Sequence, residues 1–238
     1  MSEHNSHLDN FVDYSAPISP KGITVNSELL SSLSQKIEKD HDLTADFFYR
    51  YPEKYDELED HMRRHIEKGK GNYLVLDVGA STGKEPLSVV MAWEEMVASV
   101  NPEYEGTIAV LAVDKDADAI AAFQDNRFPI YGDLQGDHNL ERVKKYASLV
   151  TPAEPGEGPT FLYPKEYISF PKAMLDKITY IQMDADSPQI TELPKVYGAK
   201  HFDAAVSYTA SRYFHKEEES MQRISNTLGN HRLLSHVR

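Results

Sequence analysis

The chain has 238 residues, a length that fits one full domain with an appendage or two small domains. Its 38 acidic and 25 basic residues give a net charge of -13. Such a balance argues against a protein that binds nucleic acid or anionic lipid by neutralising phosphates. The chain contains no cysteine, which excludes disulfides, cysteine nucleophiles and thiolate metal sites. No apolar run approaches the ~20 residues of a membrane span, and the first residues lack a secretory-signal pattern, so we expect a cytoplasmic protein.

The first 70 residues predict an arm and a helical segment. Residues 1–26 are polar and predict a loosely ordered arm. Between residues 27 and 71, apolar side chains recur at helical spacing, first from Leu29 to Ile37 and then from Phe47 to Ile66. The sequence Lys68-Gly69-Lys70-Gly71 is a helix-stop signal. We therefore expect one unit over residues 1–70 and a second over residues 71–238.

From Tyr73 onward, short apolar runs alternate with helical patterns. The runs predict strands over 73–78, 107–113, 178–183 and 204–208, with a fifth over 232–237, and the patterns between them predict helices over 85–100 and 117–126. Alternating strands and helices predict an α/β fold with an open, mostly parallel sheet and helices on both faces. Residues 152–171 hold five prolines and two glycines and predict a loop-rich segment.

A glycine loop, Gly79-Ala80-Ser81-Thr82-Gly83, lies between the first predicted strand and its helix. This places it at the carboxyl edge of the sheet, where open α/β folds bind ligands. A phosphate-binding P-loop would need one more residue between the glycines and a hydroxyl side chain at Glu85. A nucleophile elbow would match Gly79-x-Ser81-x-Gly83, with Asp184 or Asp203 and then His215 completing a serine-hydrolase triad. Against it, the earlier strands and the oxyanion loop of that fold are missing from the pattern.

The third interpretation is a nucleotide-type cofactor lying across the loop. Small residues let the backbone approach a ligand, and the amides at the start of the next helix can receive an anionic group. Asp114 closes the second strand, where acidic residues accept hydrogen bonds from a ribose diol. Asp184 closes the third strand and is placed to bind the exocyclic amine of an adenine. The three strands thus predict a cofactor cradle.

The residues around this loop resemble those of a known family. Residues 76–88, Leu-Asp-Val-Gly-Ala-Ser-Thr-Gly-Lys-Glu-Pro-Leu-Ser, are similar to the S-adenosylmethionine loop of the CheR-type chemotaxis-receptor methyltransferases, Ala-Gly-Cys-Ser-Thr-Gly-Glu-Glu-Pro-Tyr-Ser. Four further segments resemble the family in the same order, so that the resemblance covers residues 43–230: Leu43 to Arg50, Val113 to Asp116, Lys177 to Asp184, and Phe202 to Phe214.

The resemblance implies a class I methyltransferase fold, S-adenosylmethionine as cofactor and a protein carboxylate as methyl acceptor. It implies cofactor contacts from Gly79, Ala80, Ser81, Thr82, Gly83, Glu85, Asp114, Asp184, Ala185 and Ser207. Arg50, Arg212 and Tyr213 are expected near the transferred methyl group. The expected partner is a protein substrate, with no nucleic acid and no membrane insertion.

The sequence departs from the family mainly on the acceptor side. The family's Cys-Arg-Asn-Val is Ser207-Tyr208-Thr209-Ala210 here, so its arginine and asparagine are missing. Asp184 replaces an asparagine, and no closing antiparallel strand follows Leu234 in the pattern. An alternative interpretation is therefore a degraded relative that binds the cofactor or a protein partner without transferring a methyl group. His61 and His65 have a spacing that can share a metal, but no third ligand accompanies them and no metal site is predicted.

Overall fold

The computed structural model describes residues 22–37, 46–130, 138–150, 166–208, 214 and 216–236. Its α-helices are α1 Ser27–Leu33, α2 Pro52–Glu67, α3 Lys84–Val100, α4 Ala117–Asp125, α5 Leu140–Lys144, α6 Lys172–Leu175 and α7 Glu217–Asn226. Its strands are β1 Tyr73–Val78, β2 Ile108–Asp114, β3 Phe128–Ile130, β4 Ser148–Val150, β5 Glu166–Ser169, β6 Ile178–Gln182, β7 Phe202–Ser207 and β8 Leu228–His236. A 3₁₀ helix, Pro188–Tyr197, connects β6 to β7.

Five strands form a parallel sheet in the order β6-β2-β1-β7-β8. The chain leaves β1 toward β2 and β6, and it returns on the other side of β1 through β7 and β8. The order therefore reverses between β1 and β7, and this reversal point is where open α/β sheets form their ligand crevice. The predicted fold class is confirmed: a parallel Rossmann-like sheet with helices on both faces, preceded by a helical segment.

Side chains alternate between the two faces of the sheet, and each face has its own core. Tyr73 and Val75 of β1 face α2 and α3, in a core centred on Leu58, Met62 and Trp93. Leu76 and Val78 face the opposite side, where α1, α7 and the 3₁₀ helix pack. Asp77 continues the row that faces α2 and α3, since side chains two apart share a face. No described helix is long and apolar enough to cross a membrane.

Helix α2 is shorter than the helical pattern from Phe47 to Ile66 predicts. Phe48, Tyr49 and Arg50 form a turn and a bend before α2 rather than its first turns, and Tyr49 has a φ of 47°. Helix α2 starts at Pro52, whose fixed φ suits the first helical position and whose ring prevents an earlier start. The stop after Glu67 is confirmed, with positive φ at Gly69 and Gly71. The polar arm is also less loose than expected at its end, because Ile23 is buried and the Asn26 N–H donates to the Val196 carbonyl.

The protein has a second, small sheet that the sequence does not predict. It is antiparallel, in the order β3-β5-β4. Strand β5 falls inside the stretch 152–171, which the sequence predicts to be rich in loops and in which it indicates no strand; residues 151–165 lie outside the described residues. Phe128 and Phe170, beside this sheet, pack on the Phe48 ring with centroids 6.4 and 5.8 Å away. The small sheet therefore supports the turn that precedes α2.

Candidate functional site

The glycine loop lies at the carboxyl edge of the large sheet, between β1 and α3. Strands β1 and β2 run in register up to Val78 and Val113, and the Gly79 N–H donates to the Val113 carbonyl over 2.8 Å. Positive φ values at Gly79 (81°), Ser81 (46°) and Gly83 (106°) turn the chain from the strand into the helix. The loop consequently bends over the end of β2.

Asp114, the last residue of β2, holds the loop through backbone amides. Its carboxylate accepts hydrogen bonds from the Ser81 N–H over 2.7 Å and the Asp116 N–H over 2.9 Å. Burial raises the pKa of Asp114, while these two amides oppose that shift. The structure thus brings together the loop and the strand-end acid that the sequence singled out. Whether they bind a cofactor stays a prediction.

Gly83 is required by packing beneath the loop. A Cβ atom at this position would lie 2.3 Å from Cδ2 of Phe123 on α4 and 3.1 Å from the Tyr180 hydroxyl. That hydroxyl donates to the Ser81 carbonyl over 3.2 Å. Phe123 and Tyr180 therefore support the loop from below, and the lack of a side chain at Gly83 lets them do so.

An acid that the sequence analysis missed occupies the start of α3. One carboxylate oxygen of Asp46 accepts hydrogen bonds from the Thr82 hydroxyl over 2.7 Å and from the Lys84 N–H over 3.1 Å. A carboxylate is stabilised there by the helix dipole. The amides at this helix start were expected to receive an anionic group, and the group that occupies the position is the chain's own Asp46. No local pattern marks Asp46, which is 36 residues from Thr82.

A pair of buried carboxyl groups lies below the loop, and the sequence pointed to only one of them. Asp77 on β1 and Glu85 on α3 are 0% and 5% exposed. The pKa of Asp77 is raised well above its usual range by burial and by the neighbouring Glu85 carboxyl, and burial raises the pKa of Glu85 to about 8. The two groups are close enough to share a proton, although neither Asp77 oxygen meets full hydrogen-bond geometry with any partner. Asp77 was missed because it sits inside an apolar strand pattern.

Aromatic rings and one cation surround this carboxyl pair. Tyr55 of α2 and Tyr208 after β7 are buried, with ring centroids 5.3 Å apart, and the Tyr208 N–H lies 3.4 Å from the Glu85 carboxylate. The Arg50 guanidinium is close enough to lower the pKa of Glu85, and its Cζ lies 5.3 and 5.7 Å from the ring centroids of Phe47 and Tyr51. Arg50 was expected on a helix face and instead lies in the bend before α2, which directs it toward Glu85.

Lys84 is the residue at which this loop differs in charge from the family version with two glutamates. Its side chain is 1% exposed, and its Nζ lies 5.2 Å from the Phe48 ring centroid and 5.8 Å from that of Phe47. Lys84 thus connects the start of α3 to the turn that carries Arg50.

The end of β6 is held by the segment that follows α1. Asp184 and Ala185 follow β6 at the same edge of the sheet, because the Met183 N–H donates to the Asp114 carbonyl over 2.9 Å. The Gln35 side chain accepts from the Asp184 N–H over 3.0 Å and donates to the Ser187 hydroxyl over 2.9 Å. Gln35 therefore fixes the loop that carries Asp184, a role that no motif in the sequence indicates.

The remaining predicted residues are less tightly grouped. Ser207, the last residue of β7, is buried, and its hydroxyl has no hydrogen-bond partner among the residues that the structure describes. It continues the row of Ala205 and so faces away from Asp77. Arg212 and Tyr213 lie outside the described residues, as does His215 of the hydrolase interpretation. Within the described ranges, no histidine is hydrogen-bonded to the Ser81 hydroxyl.

The two histidines of α2 lie at the opposite edge of the sheet. His61 Nδ1 lies 2.6 Å from the Tyr73 hydroxyl, and His65 Nε2 lies 3.1 Å from the Gly71 carbonyl oxygen. In the part of the chain that the structure describes, no group of three His, Asp or Glu side chains could hold a metal ion.

Comparison with known proteins gives distant structural likenesses. No protein-family model and no curated relative matches the sequence. Among solved structures, a precorrin-8w decarboxylase from Methanobacterium thermoautotrophicum aligns at 15% identity over 84% of this chain and 69% of its own, with a TM-score of 0.38. An S-adenosylmethionine-dependent methyltransferase from Geobacter sulfurreducens, in complex with S-adenosylhomocysteine, aligns at 12% identity over 87% and 53%, with a TM-score of 0.39.

A second S-adenosylmethionine-dependent methyltransferase, from Thiobacillus denitrificans and also in complex with S-adenosylhomocysteine, aligns at 12% identity over 83% of this chain, with a TM-score of 0.37. This chain spans 53% and 50% of the lengths of the two methyltransferases. Because these similarities are weak, the chemistry of the site has to be argued from the residues of this chain.

Proposed function

We propose that the chain is an S-adenosylmethionine-dependent methyltransferase. The observation that carries this proposal is the acidic surroundings of the glycine loop: the Asp46 and Asp114 carboxylates accept hydrogen bonds from its amides and from the start of α3, and the carboxyl groups of Asp77 and Glu85 lie below it. A pyrophosphate would meet Asp46 at the helix start and Asp114 at the strand end, and like charges repel at this range. A crevice of this kind favours a nucleoside cofactor that lacks phosphate and carries positive charge.

The residues present fit S-adenosylmethionine part by part. Asp77 is a buried carboxyl whose oxygens meet full hydrogen-bond geometry with no described residue, so a cationic amine would satisfy it together with Glu85. Asp114 uses its oxygens on two amides and retains acceptor capacity for a ribose diol. Asp184 and Ala185 would hold the adenine from the end of β6. When bound, the cofactor supplies a methyl group on a positively charged sulfur.

Ligand titration tests the cofactor proposal. We expect dialysed protein to bind S-adenosylhomocysteine in calorimetry, and to bind ATP and NAD more weakly because the Asp46 and Asp114 carboxylates repel phosphate groups. Asp114→Asn should weaken S-adenosylhomocysteine about 10–100-fold, the loss expected for charge-assisted hydrogen bonds. Asp125→Asn, an exposed change on α4, is the matched control. Preferential binding of ATP or NAD would contradict the proposal.

The acceptor that we propose is a carboxylate on a protein, as in the CheR-type family. A carboxylate is already ionised at neutral pH and needs alignment and exclusion of water rather than a base. Arg50 supports this assignment, because its guanidinium lies beside the candidate cofactor pocket and can hold a carboxylate in two-pronged geometry. The buried Tyr55 and Tyr208 rings lie next to the turn that carries Arg50, with the Tyr51 ring centroid 6.4 Å from that of Tyr208, and would help to exclude water there. The degraded-relative interpretation predicts cofactor binding without turnover.

Arg50→Met tests the acceptor proposal. The substitution keeps an apolar stem and removes the charge, so we expect unchanged binding of S-adenosylhomocysteine and a loss of methyl transfer to protein carboxylates by ~100-fold or more. Radiolabelled methyl groups that are released by mild base, as carboxyl esters are, provide the measurement. Arg63→Met on the exposed face of α2 is the control. Full turnover in Arg50→Met would point to a neutral acceptor.

A further inference from the structure

The carboxyl pair below the loop is more deeply buried than cofactor contact alone requires. Asp77 projects from β1 toward α3, and Glu85 meets it from the first turn of that helix. Both side chains are at least 95% buried, and among the described residues the Asp77 oxygens have Glu85 as their hydrogen-bonding neighbour, without full hydrogen-bond geometry. Two neighbouring ionised carboxylates would repel each other strongly in such a poorly solvated site.

The surroundings of the pair are mostly acidic or phenolic. Burial raises the pKa of both carboxyls, and the Glu85 carboxyl raises that of Asp77 further. For Glu85, a hydrogen bond to Asp77, the Tyr208 N–H and Arg50 only partly offset the effect of burial on the pKa. The charged and titratable groups that face the pair are Asp46 and Arg50 before α2, Tyr55 on α2, Asp114 on β2, Tyr180 on β6 and Tyr208 after β7. Because two buried carboxylates that face each other repel when both are ionised, we expect the free pair to keep a proton at neutral pH.

We propose that Asp77 and Glu85 make ligand binding proton-coupled: a cationic amine enters beside the pair and one proton leaves it. This inference rests on the proposed function, which supplies the amine as the α-ammonium of the cofactor. Before binding, one carboxyl is protonated and the other is ionised. After binding, both are ionised, the ammonium keeps its protons, and the displaced proton passes to solvent. The affinity for the cofactor then rises with pH until the pair is ionised in the free protein as well.

Calorimetry of S-adenosylhomocysteine in buffers of different ionisation enthalpy measures this proton directly. Between pH 6 and 7, where the ligand's amine is still protonated, we expect release of close to one proton and a rise in affinity approaching tenfold per pH unit. The variant carrying Asp77→Asn with Glu85→Gln should bind more weakly, release no proton and show a flat pH profile. The matched control carries Asp125→Asn with Glu103→Gln, both on exposed side chains.

A ligand control removes the amine instead of the carboxyls. 5′-Deoxy-5′-methylthioadenosine lacks the amino-acid part, so its binding to the unaltered protein should release no proton and depend little on pH. If S-adenosylhomocysteine binds without proton release, or if the doubly substituted site still releases a proton, the inference is overturned while the cofactor proposal stands. If S-adenosylhomocysteine does not bind at any pH, the cofactor proposal fails and the inference falls with it.

Discussion

Glu85 has an energetic effect even before any ligand is present. Its pKa is about 8 in the folded protein against 4.5 when unperturbed, so the folded state keeps a proton that the unfolded state releases between these values. The free energy of unfolding should therefore fall as pH rises from about 4.5 to 8, by up to about 1.4 kcal/mol per pH unit. Denaturant titrations at pH 5, 6.5 and 8 measure this decline.

Replacing the ionisable group isolates its contribution. Glu85→Gln keeps the shape of the side chain and removes the titration, so its stability should decline less between pH 5 and 8 than that of the unaltered protein. Glu103→Gln, on an exposed side chain, should leave the slope unchanged. Equal slopes in all three proteins would mean that Glu85 titrates near its ordinary pKa.

At the level of single residues, the sequence indicated the acids at strand ends but not the side chains that reach the same site from distant segments of the chain. Asp114 and Asp184 follow apolar runs, so their place at the sheet edge could be predicted. Asp46 and Gln35 reach the same edge from segments before the first strand, with partners 36 and 149 residues away. Nothing in their local sequence marks such contacts, because they depend on tertiary packing.

At the level of elements, the site depends on the glycine loop. The Phe123 and Tyr180 side chains below the loop leave no room for a side chain at its last glycine, Gly83. Gly83→Ala adds a Cβ 2.3 Å from Phe123 at a φ of 106°, so both overpacking and backbone strain oppose it. We expect a loss of at least about 2 kcal/mol in the free energy of unfolding without ligand. Gly198→Ala is the matched control, because its φ is 63° and no atom lies within 4 Å of the added Cβ. That control should lose about 1 kcal/mol.

Equal losses in the two alanine variants would show that Phe123 moves away at little cost. A normal stability of Gly83→Ala combined with lost ligand affinity would instead assign Gly83 to the cofactor. Denaturant midpoints, followed by titration of whichever variant remains folded, separate these outcomes.

The strands of the large sheet could be predicted from the sequence, whereas those of the small sheet could not. Strands β1, β2, β6 and β7 of the large sheet are mostly apolar because both of their faces are covered, and such runs are recognisable in the sequence. Strands β3, β4 and β5 have three or four residues, and Pro129 lies within β3. Such short strands form through pairing with each other and through Phe48, so the sequence around each of them carries little signal.

At the scale of the whole molecule, the order of strands in the large sheet explains why the acidic side chains of the site lie close together. Because β1 lies between β2 and β7, the loop after β1 contacts the ends of its neighbours on both sides: Asp114 on one side and Tyr208, which approaches Glu85, on the other. The parallel sheet could be predicted from the alternating pattern. Its order could not, because the same runs of residues are compatible with several arrangements of neighbours.

The attachment of the N-terminal segments to the sheet edge has a consequence for local unfolding. The amides of Lys84 and Asp184 are held by Asp46 and Gln35, side chains that precede the first strand, whereas the Ser81 amide is held by Asp114 within the sheet. Detachment of those segments would expose the first two amides to hydrogen exchange while β1 and β2 stay paired. A ligand that bridges the loops after β1 and β6 would then slow this exchange without touching the segments themselves.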